Sequence, residues 1–357
     1  MSSGLRSFLQ KCRKNIKSTN KIVIGNEALD MDTAAMTLSY AYILSETKNT
    51  LHLPVFNLKS DLYHLKTEVE FVLKLCGIEK ADLIFLNDLD SDFTGNYETT
   101  LVDCNIYKGG LTNLEIVRVQ DHHKVEIDVS FLKFSDESEI DLVGSGSSLV
   151  TEHFKKVDIQ EKSCLKMLAS AIILDTTNFS NTVGRLHQRD IDAFEFIKSK
   201  TDQISTFEAL SEAKFSVKGF SREDCLLKDA KYIVRNTVII AALACSSEKF
   251  VNLESESHFK NSMDSFMKKF KLTKIFAISK IMKDEHGENV RELLVYPRAS
   301  AEFCTFFLGD EVVKPKMKNG DNSDETEFTV FQWWNMKPTR KYILPKLEEF
   351  YESGKVV

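Results

Sequence analysis

Four acid-bearing segments carry the chemistry available to this chain: Gly25-Asn26-Glu27-Ala28-Leu29-Asp30-Met31-Asp32, Leu101-Val102-Asp103, Asp121-His122-His123 and Ile173-Leu174-Asp175-Thr176. Each follows a short apolar run expected to end a β-strand. In an open parallel sheet such ends gather along one edge, where ligands bind. Four carboxylates (Asp30, Asp32, Asp103 and Asp175) and an imidazole crowded there repel one another unless cations sit between them. That is the ligand set of a two-metal centre, which recurs in enzymes that cleave phosphate bonds.

Each segment also has a plainer reading. Asp30 and Asp32 stand two apart, so in an extended turn both point the same way, yet one of them could simply cap the helix that follows. Adjacent histidines on an irregular stretch point apart, which assigns His122 and His123 different jobs. Imidazole suits transition metals while Mg²⁺ prefers oxygen, so the mixed set takes Mg²⁺ and also Mn²⁺ or Co²⁺. Residues 165–174 read as an apolar helix as well. An acid at the end of such a helix opposes the dipole unless a cation lies near Asp175.

Several other motifs are weaker. Gly144-Ser145-Gly146-Ser147-Ser148 opens a helix and reads as cap chemistry ahead of a phosphate cradle. Thr339-Arg340-Lys341, after Pro338, could clamp an anion at a helix start. Lys260, Lys268, Lys269, Lys271 and Lys274 alternate with Phe259, Met263, Phe266 and Phe270 at helical spacing, the pattern of an amphipathic helix with a solvated face. Trp333-Trp334 reads as core and rim. Cys104, beside Asp103, reads as a packing residue.

The elements that must position these groups alternate in the first half. Residues 21–25, 51–58, 82–86, 99–103 and 115–120 read as strands, and 31–46, 61–76, 147–156 and 162–173 as helices, with a loop over 88–97. Such alternation implies parallel βαβ units. Residues 188–220 are charged and helical, the pattern of a connecting helix and solvated linker. A second unit follows, with strands at 236–244, 273–281, 291–296 and 326–332, helices at 257–270, 299–307 and 338–352, and a polar loop at 314–324 containing Asn319-Gly320.

A chain of 357 residues exceeds what one core usually supports, which favours two domains. At 43% hydrophobic and 28% charged it is an ordinary folded composition. The net charge of −6 argues against bulk nucleic-acid binding. No apolar stretch is long enough for a membrane span, and residues 1–21 lack a secretory signal's apolar block; Phe8-Leu9 suits the apolar side of a short helix. Seven widely spaced cysteines without a Cys-x-x-Cys pair argue against a zinc knuckle or disulfide framework and suit a reducing compartment, read as the cytoplasm.

Taken in this order, the segments resemble the DHH phosphoesterase superfamily, whose name is the triplet standing here as Asp121-His122-His123. Within it the chain is most similar to cytosolic eukaryotic exopolyphosphatases of the yeast type, on residues 25–32, Gly144-Ser145-Gly146-Ser147-Ser148-Leu149-Val150, Ile172-Ile173-Leu174-Asp175-Thr176 and Lys218-Gly219-Phe220-Ser221. The C-terminal part resembles the associated DHHA2 domain, whose Arg-Lys motif matches Arg340 and Lys341. The resemblance implies an α/β chain: a DHH domain over residues 1–200 with a mostly parallel sheet and helices on both faces, a linker over 201–219, a smaller DHHA2 domain over 220–357, and an active site in the interdomain cleft. It implies that Asp30, Asp32, Asp103, His122 and Asp175 bind two divalent cations, with Asp103 bridging. His123, Arg340, Lys341 and Lys218 would face the substrate, inorganic polyphosphate, whose terminal phosphate a monomeric enzyme releases. Family II pyrophosphatases have a ligand His where Asn26 stands, whereas the exopolyphosphatase and prune branches share the Asn. A pyrophosphatase, a short-substrate phosphodiesterase and a non-catalytic binding module are the alternatives.

Overall fold

The computed structural model describes residues 4–89, 95–125, 138–181, 186–233, 236–253, 259–318, 327–336 and 339–355. Asn319-Gly320 and Pro338 lie outside the described residues. The chain divides into two compact units, Met1–Lys214 and Phe215–Val357.

In the first unit, strands β1 (Lys21–Ile24), β2 (Leu53–Phe56), β3 (Ile84–Phe85), β4 (Tyr97–Val102), β5 (Leu114–Asp121) and β6 (Glu139–Ile140) form one sheet in the order β3-β2-β1-β4-β5-β6. Every pairing in it is parallel. Strands β1 to β3 step outward one way and β4 to β6 the other, so the strand order reverses between β1 and β4. Ligands bind at the carboxyl ends beside such a reversal. The short apolar runs explain the sheet: β2 is buried throughout, and β1 is buried from Ile22 to Ile24, as parallel strands covered by helices must be.

Helices α1 (Gly4–Lys14), α2 (Met31–Lys48), α3 (Thr67–Leu75), α4 (Gly146–Val157), α5 (Lys162–Asp175), α6 (Gln188–Lys200) and α7 (Phe207–Lys214) complete the unit. α1 buries Leu5, Phe8, Leu9 and Cys12 on one side. α2 is apolar nearly all round and buries every residue from Met31 to Ala41, because α4, α5 and the sheet surround it.

Four expectations change. The segment Ile173–Thr176 closes helix α5, not a strand. The stretch expected as one helix over 61–76 splits into a 3₁₀ turn, Ser60–Leu65, and α3. α6 is packed rather than a solvated connector, with Asp190, Ala193 and Ile197 buried, and Leu210 of α7 is buried as well. β6 was not foreseen, because two residues carry no periodicity; Arg189 pins it through Glu139 (2.7 Å) and ties it to Glu152 of α4 (2.7 Å).

The second unit has a mixed sheet. Strands β7 (Ala230–Ile233), β8 (Val238–Ala242), β9 (Lys274–Ile278), β10 (Met282–Lys283), β11 (Asn289–Tyr296), β12 (Lys316–Met317) and β13 (Thr329–Trp333) run in the order β12-β13-β11-β9-β8-β7, with β10 beside β11. The β8–β9 pair is parallel and the other described pairs are antiparallel. Helices α8 (Arg222–Leu227), α9 (Ser247–Val251), α10 (Phe259–Phe270), α11 (Ala301–Leu308) and α12 (Arg340–Glu352) supply the rest. Alternate residues of β8 serve two separate cores. Ile239 and Ala241 pack with Met263 and Phe266, whereas Val238 and Ile240 pack with Phe303, Trp333 and Phe350. No described helix in either unit is long and apolar enough to cross a membrane.

Candidate metal centre

Asp103 lies immediately beyond β4 in the left-handed backbone region, φ 55°, which Asp tolerates better than most residues. Its carboxylate is buried. Oδ2 accepts hydrogen bonds from Asn26 Nδ2 (2.7 Å) and from the Thr33 hydroxyl. Oδ1 faces His122 Nε2 at 3.3 Å and His123 Nδ1 at 3.6 Å. Burial pushes the Asp103 carboxyl up to about 7; the bond from His122 works against this, and the charges of Asp30 and Asp32 add to it.

His122 Nδ1 lies 3.0 Å from the Val143 carbonyl oxygen. A carbonyl only accepts, so Nδ1 carries a proton and Nε2 is directed at Asp103 and at Asp32 Oδ2, 3.5 Å away. This is the ring orientation that metal-ligating histidines take. Burial disfavours charge on the ring, but the bond to Asp103 and the Asp32 carboxylate raise it to about 10. The pocket therefore selects for positive charge.

Asp32, in the first turn of α2, is fully employed. Oδ1 accepts from Ser145 Oγ (2.7 Å) and Ser147 N (2.9 Å), and Oδ2 from Gly146 N (2.8 Å). Asp32 thus caps the start of α4 from across the fold, while Ser145, at the N-cap position, makes no cap bond of its own. The glycine-serine motif serves as cap chemistry, supplied in trans. Asp30 caps α2 itself through Thr33 N (3.1 Å).

Asp175 ends α5, and its Oδ2 is buried with no hydrogen-bond partner. Burial, then the charges of Asp32 and Asp30, hold its carboxyl well above the usual range, with Lys214 opposing. An orphaned carboxylate oxygen within reach of the charge of two further carboxylates is costly unless a cation compensates it. The donor set thus fits divalent cations. Asp103 and Asp175 both feel the charges of Asp30 and Asp32, Asp32 Oδ2 lies 3.5 Å from His122 Nε2, and single ligand atoms of Asp103, His122 and His123 lie within 4.8 Å of one another.

The two histidines do not point apart. Their ring centroids are 4.5 Å from each other and both reach Asp103. Their jobs still differ, because His123 Nδ1 bonds Asp121 Oδ1 at 2.9 Å and its ring is half exposed. The same Asp121 oxygen accepts the backbone N–H groups of His122 (2.8 Å) and His123 (3.2 Å), while Oδ2 accepts from Asn105 (2.7 Å). The bond to Asp121 raises the His123 imidazole above its ordinary value.

Asn26 acts as a brace. Its amide nitrogen donates to the backbone oxygen (3.0 Å) and Oδ2 of Asp103, and its Oδ1 accepts from Ala28 N (2.9 Å) and Leu29 N (3.3 Å). Gly25 permits this close approach: a Cβ there would stand 2.3 Å from Thr33 Cγ2 and 3.2 Å from the Val102 oxygen. Gly25→Ala is therefore expected to destabilise the fold by about 1–3 kcal/mol. The same change should weaken activity by displacing Thr33 from Asp103. Parallel thermal melts and turnover assays check both, and wild-type values in both would refute the close-approach argument.

In the second unit Arg340 opens α12, and its Nη1 bonds Asp229 through Oδ1 (2.7 Å) and the backbone oxygen (2.8 Å). Thr339 caps that helix by accepting from Lys341 N at 3.3 Å. Lys341 and Lys218 are exposed. Of the lysine-rich stretch, Lys269 pairs with Glu223 (2.6 Å) on the solvated side of α10. Lys274 is buried on β9, donating to the Pro297 oxygen at 3.3 Å. Trp333 is core and Trp334 exposed. Burial and the charge of Asp103 push the Cys104 thiol up, which suits packing rather than reactivity.

Sequence reasoning passed over Asp121, Thr33, Asn105 and Asp190 as positioning groups. Only Asp190 left a local signal, the spacing His187-x-x-Asp190 that closes a capping box at the start of α6.

A parallel sheet with carboxylates and an oriented histidine at its switch point, followed by a mixed-sheet unit, is an arrangement similar to that of the DHH–DHHA2 phosphoesterases. Residues 208–350 match the DHHA2 domain family. Over 99% of its length the chain is 26% identical to human exopolyphosphatase PRUNE1, covering 81% of that protein. It is also 26% identical to a candidate exopolyphosphatase of Schizosaccharomyces pombe, over 91% of this chain and 89% of that one. Its fold is similar to that of a candidate family II inorganic pyrophosphatase from Methanococcus jannaschii, with a TM-score of 0.56, 20% identity, and coverage of 92% of this chain and 99% of that one.

Proposed function

We propose that this chain hydrolyses the terminal phosphoanhydride bond of linear inorganic polyphosphate and releases orthophosphate. The observation that carries the reading is the orphaned Asp175 oxygen, whose carboxyl feels the charges of Asp32 and Asp30, together with His122 oriented on Asp103. Exopolyphosphatase names among the relatives supply the substrate class. Residues 1–200 form the catalytic domain, 201–219 the linker and 220–357 the substrate-binding domain of a monomeric cytoplasmic enzyme. The free cysteines suit that reducing compartment.

Asp30, Asp32, Asp103, His122 and Asp175 would hold two divalent cations, Mg²⁺ or else Mn²⁺ or Co²⁺, with Asp103 contributing to both. Such cations lower the pKa of an attacking water and neutralise phosphate charge. The chain's own groups do the rest. Asp121 holds Nδ1 of His123 and raises its imidazole above the ordinary value, which leaves Nε2 for the departing phosphate and favours a proton there. Arg340, Lys341 and Lys218 supply positive charge to the equatorial oxygens of the polyanion. Arg340→Ala is expected to raise KM for polyphosphate about tenfold with little change in kcat. Kinetics identical to wild type would remove Arg340 from the substrate contacts.

The reading is tested by incubating purified protein with Mg²⁺, Mn²⁺ or Co²⁺ and pyrophosphate, tripolyphosphate, long polyphosphate or cyclic AMP. Orthophosphate from the longer chains is expected to dominate. Pyrophosphate as the preferred substrate would replace this reading with the pyrophosphatase one, and release of nucleoside monophosphate alone would indicate a phosphodiesterase. Against the pyrophosphatase stands Asn26, whose polar atoms are committed to Asp103 and to backbone N–H groups.

A further inference from the structure

Asp190 opens a second route into the site. It is completely buried on α6, yet its carboxylate accepts four hydrogen bonds. Oδ2 takes Gly144 N (2.9 Å) and His187 N (2.9 Å), and Oδ1 takes Ser145 N (3.3 Å) and Ser148 Oγ (2.6 Å). The His187 bond belongs to the capping box of α6. A cap needs one such bond, and the other three reach 42 to 46 residues back to the turn before α4 and to that helix's first turn. The Gly144 N–H belongs to the same planar peptide group as the Val143 carbonyl. That carbonyl receives His122 Nδ1 at 3.0 Å. Fixing the N–H side of the peptide fixes the direction of its oxygen, and the oxygen sets both the tautomer and the rotation of the imidazole.

We infer that Asp190 is a positioning residue for His122, acting through the Val143–Gly144 peptide to keep Nε2 directed into the metal pocket. The inference rests on the metal reading proposed above. Asp190 touches no ligand atom, and its effect passes through two hydrogen bonds and one rigid peptide.

The test is metal binding without substrate. Mn²⁺ titration followed by electron paramagnetic resonance should give a dissociation constant ten- to a hundredfold weaker in Asp190→Asn than in wild type, with unchanged far-UV circular dichroism. Gly144→Pro removes the N–H of the link, while its ring also fixes φ there and restricts Val143; the His187 and Ser148 bonds to Asp190 do not involve that N–H, so a folded variant should weaken Mn²⁺ similarly while the α6 cap stays. Wild-type Mn²⁺ affinity in either folded variant overturns the inference. An independent reading needs no variant: in Zn²⁺-loaded wild-type protein, ¹H–¹⁵N spectra should show an exchange-protected His122 Nδ1–H. A ring protonated at Nε2 instead would overturn the inference. A wild-type protein that binds Mn²⁺ but leaves polyphosphate intact sinks the substrate proposal alone, whereas one that binds no Mn²⁺ removes the metal reading and this inference with it.

Discussion

Asp103→Asn is expected to fold and to release phosphate at least ~10³-fold more slowly than wild type, since the carboxylate proposed to serve both cations also carries the charge that orders the site. The carboxamide matches the shape of the acid but not its bonding. Two donors, Asn26 Nδ2 and the Thr33 hydroxyl, already converge on Oδ2, so the amide oxygen must stay there. The amide NH₂ group is then left facing His122 Nε2, where a carboxylate oxygen now lies 3.3 Å away. A donor in that place repels a cation. Steady-state phosphate release with matched circular dichroism decides the matter, and near-normal turnover in a folded variant would end the role assigned to Asp103.

Metal-stripped protein should lose stability steadily as pH rises from about 4 to 8. The folded Asp103 carboxyl titrates at about 7 and Asp175 well above the usual range, whereas in the unfolded chain both titrate near 4. Between those values the folded state holds protons that the unfolded state has released, so stability falls as pH increases. His122 acts with the same sign: raised to about 10, its stabilisation is complete below about 6.5 and lost as pH climbs through 10. A melting temperature lower at pH 8 than at pH 5 by on the order of 10 °C is the expected result in chelator. Added Mg²⁺ or Mn²⁺ should reverse the drop by binding the deprotonated folded form, and Asp175→Asn should flatten the profile. Scanning calorimetry across pH checks this, and greatest stability of the stripped protein near pH 8 would contradict it.

The strand-helix alternation of the first unit could be read from the chain because the buried strands are short apolar runs and α2, α4 and α5 are long enough to show themselves. Where the reading failed, the signal was physically missing. β6, β10 and β12 are two residues each, too short for any period. Ile173–Thr176 is apolar and β-branched enough to pass for a strand, yet ten buried residues of α5 pack it as helix against α2. The four candidate acids were legible because carboxylates after apolar runs are anomalous. Their supports were not, because Thr33, Asn105, Asp121 and Asp190 are ordinary polar residues until the fold brings partners 16 to 70 positions distant against them.

α2 carries Asp30 and Asp32 at its tip and is enclosed by protein over its first three turns. A rod gripped on every side cannot slide to absorb an error, so added bulk at Ala34 or Ala35 would push the two acids off their marks although neither alanine meets a cation. In such a protein, loss-of-function substitutions should map as densely onto this inner post as onto the groups that touch phosphate. Catalytic impairment should then trace side-chain volume at these alanines long before global unfolding becomes measurable.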